Sequence, residues 1–138
     1  MIEIKVNFYS KFSKEQLINI LKKQLSNFFP LDENEIKVLE NSINTVFERC
    51  FICFNGVGNK YFRKEGKVFF SPYHSGQYLI YLYYFSNTCS TSGQKELADK
   101  LYYLNKILNC CDIYHEVNLP KVFFLEHPVA TVLGRAKY

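Results

Sequence analysis

The sequence predicts a mainly α-helical chain that leads into the first turn of a β-solenoid. Three observations carry that expectation. Apolar residues recur at helical spacing up to about Leu108. From Cys110 the pattern changes to short extended pieces with turn-forming residues between them. Those pieces are evenly spaced, no helix-forming segment separates them, and each is too short to pack as an independent sheet. The expected organisation is a helical N-terminal domain over 1–109, with a short hairpin near 61–71, and a solenoid start over 110–138 that stops before a second coil.

The elements follow in order. Met1 to Phe8 alternates like a strand. Residues 14 to 29 place Leu17, Ile18, Leu21, Leu25 and Phe28 on one helical face, with Ser13 and Gln16 as a capping box and Pro30 as the stop. A second helix begins at Asp32, with Glu33 and Glu35 favouring its dipole, and ends at Asn55 to Asn59. KYFRKEGKVFF sets two aromatic runs around Lys64-Glu65-Gly66 and reads as a hairpin. His74 to Ser86 is apolar almost all round and reads as a buried helix. Thr88 to Gly93 reads as a loop, and 94–108 as an amphipathic helix. Asp112 to Val117, Lys121 to Leu125 and Thr131 to Ala136 are the three extended pieces.

Composition bounds the function. A net charge of +4 from seventeen basic and thirteen acidic residues is scattered, whereas a nucleic-acid binder concentrates it on one face. The longest apolar stretch, Tyr78 to Phe85, is too short to span a bilayer, and the N-terminus carries no export signal. Five cysteines, an odd number, then imply reduced, mostly buried thiols in a cytoplasmic protein. Cys50 and Cys53 have C-x-x-C spacing, but no second ligand pair follows, so no metal site is expected and the two are read as small apolar residues on one helix face. Thirteen Phe and eleven Tyr, beside abundant Lys, Asn and Ile, read as codon bias plus core packing.

Chemistry concentrates in DIYHEVNLPKVFFLEHPVATVLG, residues 112–134. Asp112-Ile113 opens it. Leu125-Glu126-His127 is followed by a seven-residue run, Pro128 to Gly134, that ends in Leu-Gly. This segment resembles the start of the left-handed β-helix of the serine acetyltransferase family, the hexapeptide-repeat enzymes that use acetyl-CoA. In that family an Asp-Ile pair opens the first coil, and a Leu-Asp-His precedes a run of the same length ending in Val-Gly. The family's conserved Asp stands as far before its catalytic His as Asp112 stands before His127. The resemblance is specific over 112–138 and architectural over 1–111. It departs where Glu126 replaces Asp, where Leu119-Pro120 interrupts the hexapeptide pattern, and near Tyr73 to Gln77, where the family's upstream acceptor-binding Asp has no counterpart.

The resemblance implies an O-acetyltransferase with acetyl-CoA as co-substrate and a small hydroxyl acceptor. It implies a homo-oligomer, a trimer or dimer of trimers at full length, with the cofactor between adjacent β-helices. His127 would be the base and Asp112 the carboxylate that orients it; Glu126 and His74 would contact the acceptor. The resemblance places the cofactor's adenosine and pantetheine contacts on further coils. General principles support the dyad, since a base working near neutral pH suits histidine and a carboxylate on the second ring nitrogen fixes its tautomer. Each residue also has a plainer reading: His127 as a turn histidine, Asp112 as a cap, His74 as a helix-start residue. His115 is expected to be exposed on the coil, and Arg135 to be either a phosphate contact or a solvated arginine.

Two further functions stay open. One is a sugar O-acetyltransferase of surface-polysaccharide synthesis, which shares the His-Pro-Val…Gly-Arg-Ala run. The other is a non-catalytic helical assembly domain from a truncated gene. In either enzyme reading, residues 1–138 alone are expected to be inactive, because stabilisation of the oxyanion needs a preorganised pocket.

Overall fold

The computed structural model describes residues 1–138 and is 54% helical, which makes the chain mainly α. Four helices carry the fold: α1 (Lys14–Phe28), α2 (Glu33–Gly56), α3 (Ser75–Thr91) and α4 (Lys95–Asn109). Neither a closed barrel nor a β-helix is formed.

Local chemistry sets the helix starts. The Ser13 hydroxyl accepts from the Gln16 amide at 3.1 Å while the Gln16 side chain accepts from the Ser13 amide at 2.9 Å. Asp32 and Glu35 repeat this arrangement at the start of α2. Each box satisfies two amide groups that a helix start otherwise leaves unpaired. Glu35 has a second task. Both its carboxylate oxygens meet Lys100 Nζ of α4, at 3.0 and 2.9 Å, and the same ammonium donates to the Pro30 carbonyl at 2.7 Å. That cluster ties the turn before α2 to α4.

Helix α3 is the centre of the molecule. Of its residues only Ser75, Thr88 and Thr91 escape burial, because α2, α4 and a sheet surround it. The sheet contains β1 (Ile2–Lys5), β2 (Phe8–Ser10), β3 (Arg63–Lys64) and β4 (Lys67–Phe70), in the order β1-β2-β4-β3. Strand β2 runs parallel to β4, with Phe8 opposite Val68 and Ser10 opposite Phe70. Phe8, Val68 and Phe70 are buried, and the Phe8 and Phe70 rings meet Phe47, Phe54 and Tyr81. The β3–β4 hairpin closes through Glu65 and Gly66, both at positive φ (52° and 76°), the primed turn that matches strand twist.

Two expectations need correction. Thr88 to Gly93 is not a loop: α3 continues through Thr91, and the hydroxyls of Thr91 and Ser92 bond back to the carbonyls of Asn87 and Thr88 at 2.8 and 2.9 Å. Lys121 to Leu125 is not a strand. Only Cys111–Ile113 (β5) and Thr131–Leu133 (β6) pair, in parallel, with Cys111 opposite Thr131 and Ile113 opposite Leu133.

The chain between β5 and β6 contains no helix. Its backbone is satisfied instead by side chains of α2 and α3. Asn87 Nδ2 donates to the His115 carbonyl at 2.8 Å. Tyr83 Oη donates to the Val117 carbonyl and accepts from the Leu119 amide at 3.2 Å. Tyr84 Oη donates to the Lys121 carbonyl at 3.3 Å, and the Cys53 thiol to the Phe123 carbonyl at 3.0 Å. Two glycines admit the segment: a Cβ on Gly56 would lie 2.6 Å from Val122, and one on Gly76 would lie 2.8 Å from the Leu125 carbonyl oxygen.

Candidate functional site

Helix α4 ends on Cys110 in the left-handed conformation (φ 52°), which turns the chain directly into β5. The alternation of an extended chain then puts Cys111, Ile113, His115 and Val117 inward, all buried, and leaves Asp112 facing back along α4. There Asp112 Oδ1 accepts from Tyr102 Oη at 2.7 Å, and Oδ2 lies 3.4 Å from Lys106 Nζ. Burial, then the bond to Asp112, raises the Tyr102 phenol above its ordinary range. Lys106 is raised as well, chiefly by its bond to Tyr102.

The structure does not join Asp112 to His127. The carboxylate is engaged by Tyr102 and Lys106, and His127 is exposed with no hydrogen-bond partner in the chain. Glu126 beside it is also exposed and makes no hydrogen bond. His74 is the N-cap of α3. Its Nδ1 accepts from the Gln77 amide at 3.2 Å, so the ring proton lies on Nε2, and burial lowers its pKa. Its ring packs against Tyr61 and Phe62, so capping rather than acceptor contact is the role the geometry gives it. Arg135 pairs with Glu116 at 2.7 Å, and Lys95 holds the same carboxylate at 3.0 Å. The Lys95 bond, with the nearby cationic charges, lowers the Glu116 pKa.

His115 overturns its expected exposure. It is 1% exposed, with Nε2 2.8 Å from Asp99 Oδ1 of α4 and Nδ1 2.9 Å from Ser90 Oγ of α3. Lys95 Nζ donates to Ser90 Oγ at 2.9 Å, which leaves the serine's own hydrogen for Nδ1 and gives Nε2–H to the carboxylate. The order serine, imidazole, carboxylate is that of a nucleophile relay. Here Ser90 is closed off at 6% exposure, and the chain of bonds fastens β5 and its continuation to two helices. The sequence does carry a signal for it: the alternation Cys111, Ile113, His115, Val117 places this histidine on the apolar face.

No group of three or more His, Cys, Asp or Glu side chains is arranged to hold a metal ion, and no helix is long and apolar enough to cross a membrane. Compared with protein-family models, with curated proteins and with solved structures, the chain matches none.

Proposed function

We propose that this chain is the N-terminal part of an O-acetyltransferase of the hexapeptide-repeat kind, carrying the base that deprotonates a hydroxyl acceptor. One observation supports this above the others. β5 and β6 pair in parallel twenty residues apart with no helix in the connection, as successive strands on one face of a solenoid coil would. Parallel neighbours elsewhere are ordinarily joined by a helical crossover. The Leu-Glu-His-Pro-Val…Gly-Arg-Ala run begins in the connection between β5 and β6 and continues past β6.

In this proposal His127 takes the hydroxyl proton at a ring nitrogen, the task for which an imidazole is suited near neutral pH. Acetyl-CoA would be the acetyl donor. The residues present do not by themselves fit it, because nothing orients the exposed His127 ring or excludes water from it. Asp112 would orient His127 only after exchanging its Tyr102 and Lys106 partners. The exposed apolar side chains Val122, Phe124 and Val132 suit coverage by further coils or by another copy in a homo-oligomer.

The acceptor is better read as a sugar hydroxyl than as serine. The acidic residue expected near Tyr73 to Gln77 is missing, and His74, the polar group there, is committed to capping. The test is acceptor-dependent thiol release from acetyl-CoA by the complete gene product, offered serine and monosaccharides in parallel. Turnover should appear with one acceptor class, fall roughly a hundredfold in His127→Ala, and be absent from residues 1–138 alone. A gene product that releases no thiol with any hydroxyl acceptor overturns the proposal. Near-normal turnover in His127→Ala removes the base.

A further inference from the structure

Arg49 of α2 is not among the residues proposed for acetyl transfer and has no counter-ion. It forms no ion pair. Its guanidinium lies 4.3 Å from the Tyr84 ring centroid. Nη1 donates to Thr88 Oγ1 at 2.9 Å and to the Tyr84 carbonyl at 3.5 Å, and Nη2 donates to Asn87 Oδ1 at 2.9 Å. All three acceptors are neutral. Of the five guanidinium N–H groups, Nε–H and one Nη2–H are not used by these bonds, and the Tyr83 phenol, neutral as well, lies close enough for the guanidinium to offset part of the rise that burial gives its pKa.

Two clefts meet at this side chain. One, of about 210 Å³, is lined by Arg49, Ile52, Tyr84, Leu119, Pro120 and Lys121. The other, about 430 Å³ and more open, continues over Asn87 and the hydroxyls of Thr45, Thr91 and Ser92. Neither contains an acidic residue. Arginine held over an aromatic ring, with its position fixed by neutral partners, is prepared to receive an anion without reorganising. The apolar wall of Ile52, Leu119 and Pro120 adds the second half of a recognition surface.

We propose that Arg49 and the cleft beside Lys121 bind a small organic carboxylate with an apolar body. The carboxylate takes the guanidinium hydrogens that the Thr88, Tyr84 and Asn87 bonds leave unused, with Lys121 nearby, and the body lies on Ile52, Leu119 and Pro120. A doubly charged phosphate fits less well. The second cleft is bordered by the last turn of α3, whose carbonyls are the negative end of the helix dipole. This site does not depend on the acetyltransferase proposal and uses none of its residues.

The experiment is a magnetic-resonance titration of the intact chain with benzoate, with its uncharged isostere benzamide, and with inorganic phosphate, following Arg49 Nε and the methyl groups of Ile52 and Leu119. Benzoate should give saturable shifts at all three, with benzamide binding roughly tenfold or more weakly. Lys121→Gln, on an exposed side chain, should weaken benzoate several-fold with the fold unchanged. Arg49→Lys should retain less binding than wild type, and Arg49→Gln none. Absence of saturable benzoate shifts, equal binding of benzamide, or tighter binding of phosphate would each overturn the proposal, and all three are read on the wild-type chain even if an Arg49 variant fails to fold.

Discussion

The Tyr102 hydroxyl donates to Asp112 at 2.7 Å across the corner where α4 becomes β5, and Lys106 closes the group from the other side. This corner directs the chain out of the helical bundle, so its first role is mechanical. Tyr102→Phe should cost about 1 kcal/mol of stability, the scale of one hydrogen bond to a charged acceptor at a partly exposed site. In an Asp112→Asn background the same change should cost much less, and a urea-denaturation double-mutant cycle measures the coupling. Equal costs in both backgrounds would mean that the pair does not act as a unit.

The His74 cap makes stability depend on pH. Burial holds its folded-state pKa below the unfolded value of about 6.5, so the fold favours the neutral ring, whose Nδ1 accepts from the Gln77 amide. Its contribution is fully present above the unfolded pKa and is lost as pH falls through the folded one. His74→Asn keeps a capping acceptor and removes the titration. Thermal melts between roughly pH 7.5 and 5 should show the wild type losing more Tm than the variant on acidification. Parallel curves would deny His74 this role.

Two buried tyrosines on α3 should respond oppositely to loss of the hydroxyl. Tyr81 is fully buried among Phe47, Phe70 and Phe85, and its hydroxyl has no hydrogen-bond partner. Tyr81→Phe should therefore be neutral or stabilising by up to about 1 kcal/mol. Tyr83 serves the Val117 carbonyl and the Leu119 amide together, so Tyr83→Phe should cost about 1–2 kcal/mol. Chemical denaturation of both variants reads the difference in sign.

The thiols divide by burial. Burial pushes Cys50 and Cys53 up, and Cys89 and Cys111 up to about 12, while Cys110 is exposed at the helix end. The thiolate is the reactive form. A thiol-specific disulfide reagent should therefore modify one cysteine per native chain quickly and all five after denaturation. Fast native modification of a second site would show that the core opens readily.

Much of the helical architecture was legible because it is local. The Ser13–Gln16 and Asp32–Glu35 boxes, Pro30, and the apolar stripes of α1, α2 and α4 are written within a few residues of where they act. The errors arose where distant partners decide. The Ser and Thr residues at the end of α3 suggest a loop, yet burial against α2 and α4 holds the helix together. The parallel β2–β4 pairing joins segments about sixty residues apart and leaves no local mark. Of the candidate site, the position of His74 at a helix start was readable. The partners of Asp112 and His115 were not, because they lie on α3 and α4, whose facing surfaces periodicity does not specify.

The side chains that hold residues 115–121 have a consequence for how this segment can vary. A strand in a sheet can slip by two residues and recover its bonds, because every position of its partner offers the same groups. Here each backbone group answers to a particular side chain: Asn87 for His115, Tyr83 for Val117 and Leu119, Tyr84 for Lys121. A one-residue insertion or deletion between His115 and Lys121 would break several of these matches together. Surface connections ordinarily tolerate changes in length. This one behaves as a key cut to α3, and its length is as constrained as the composition of a core.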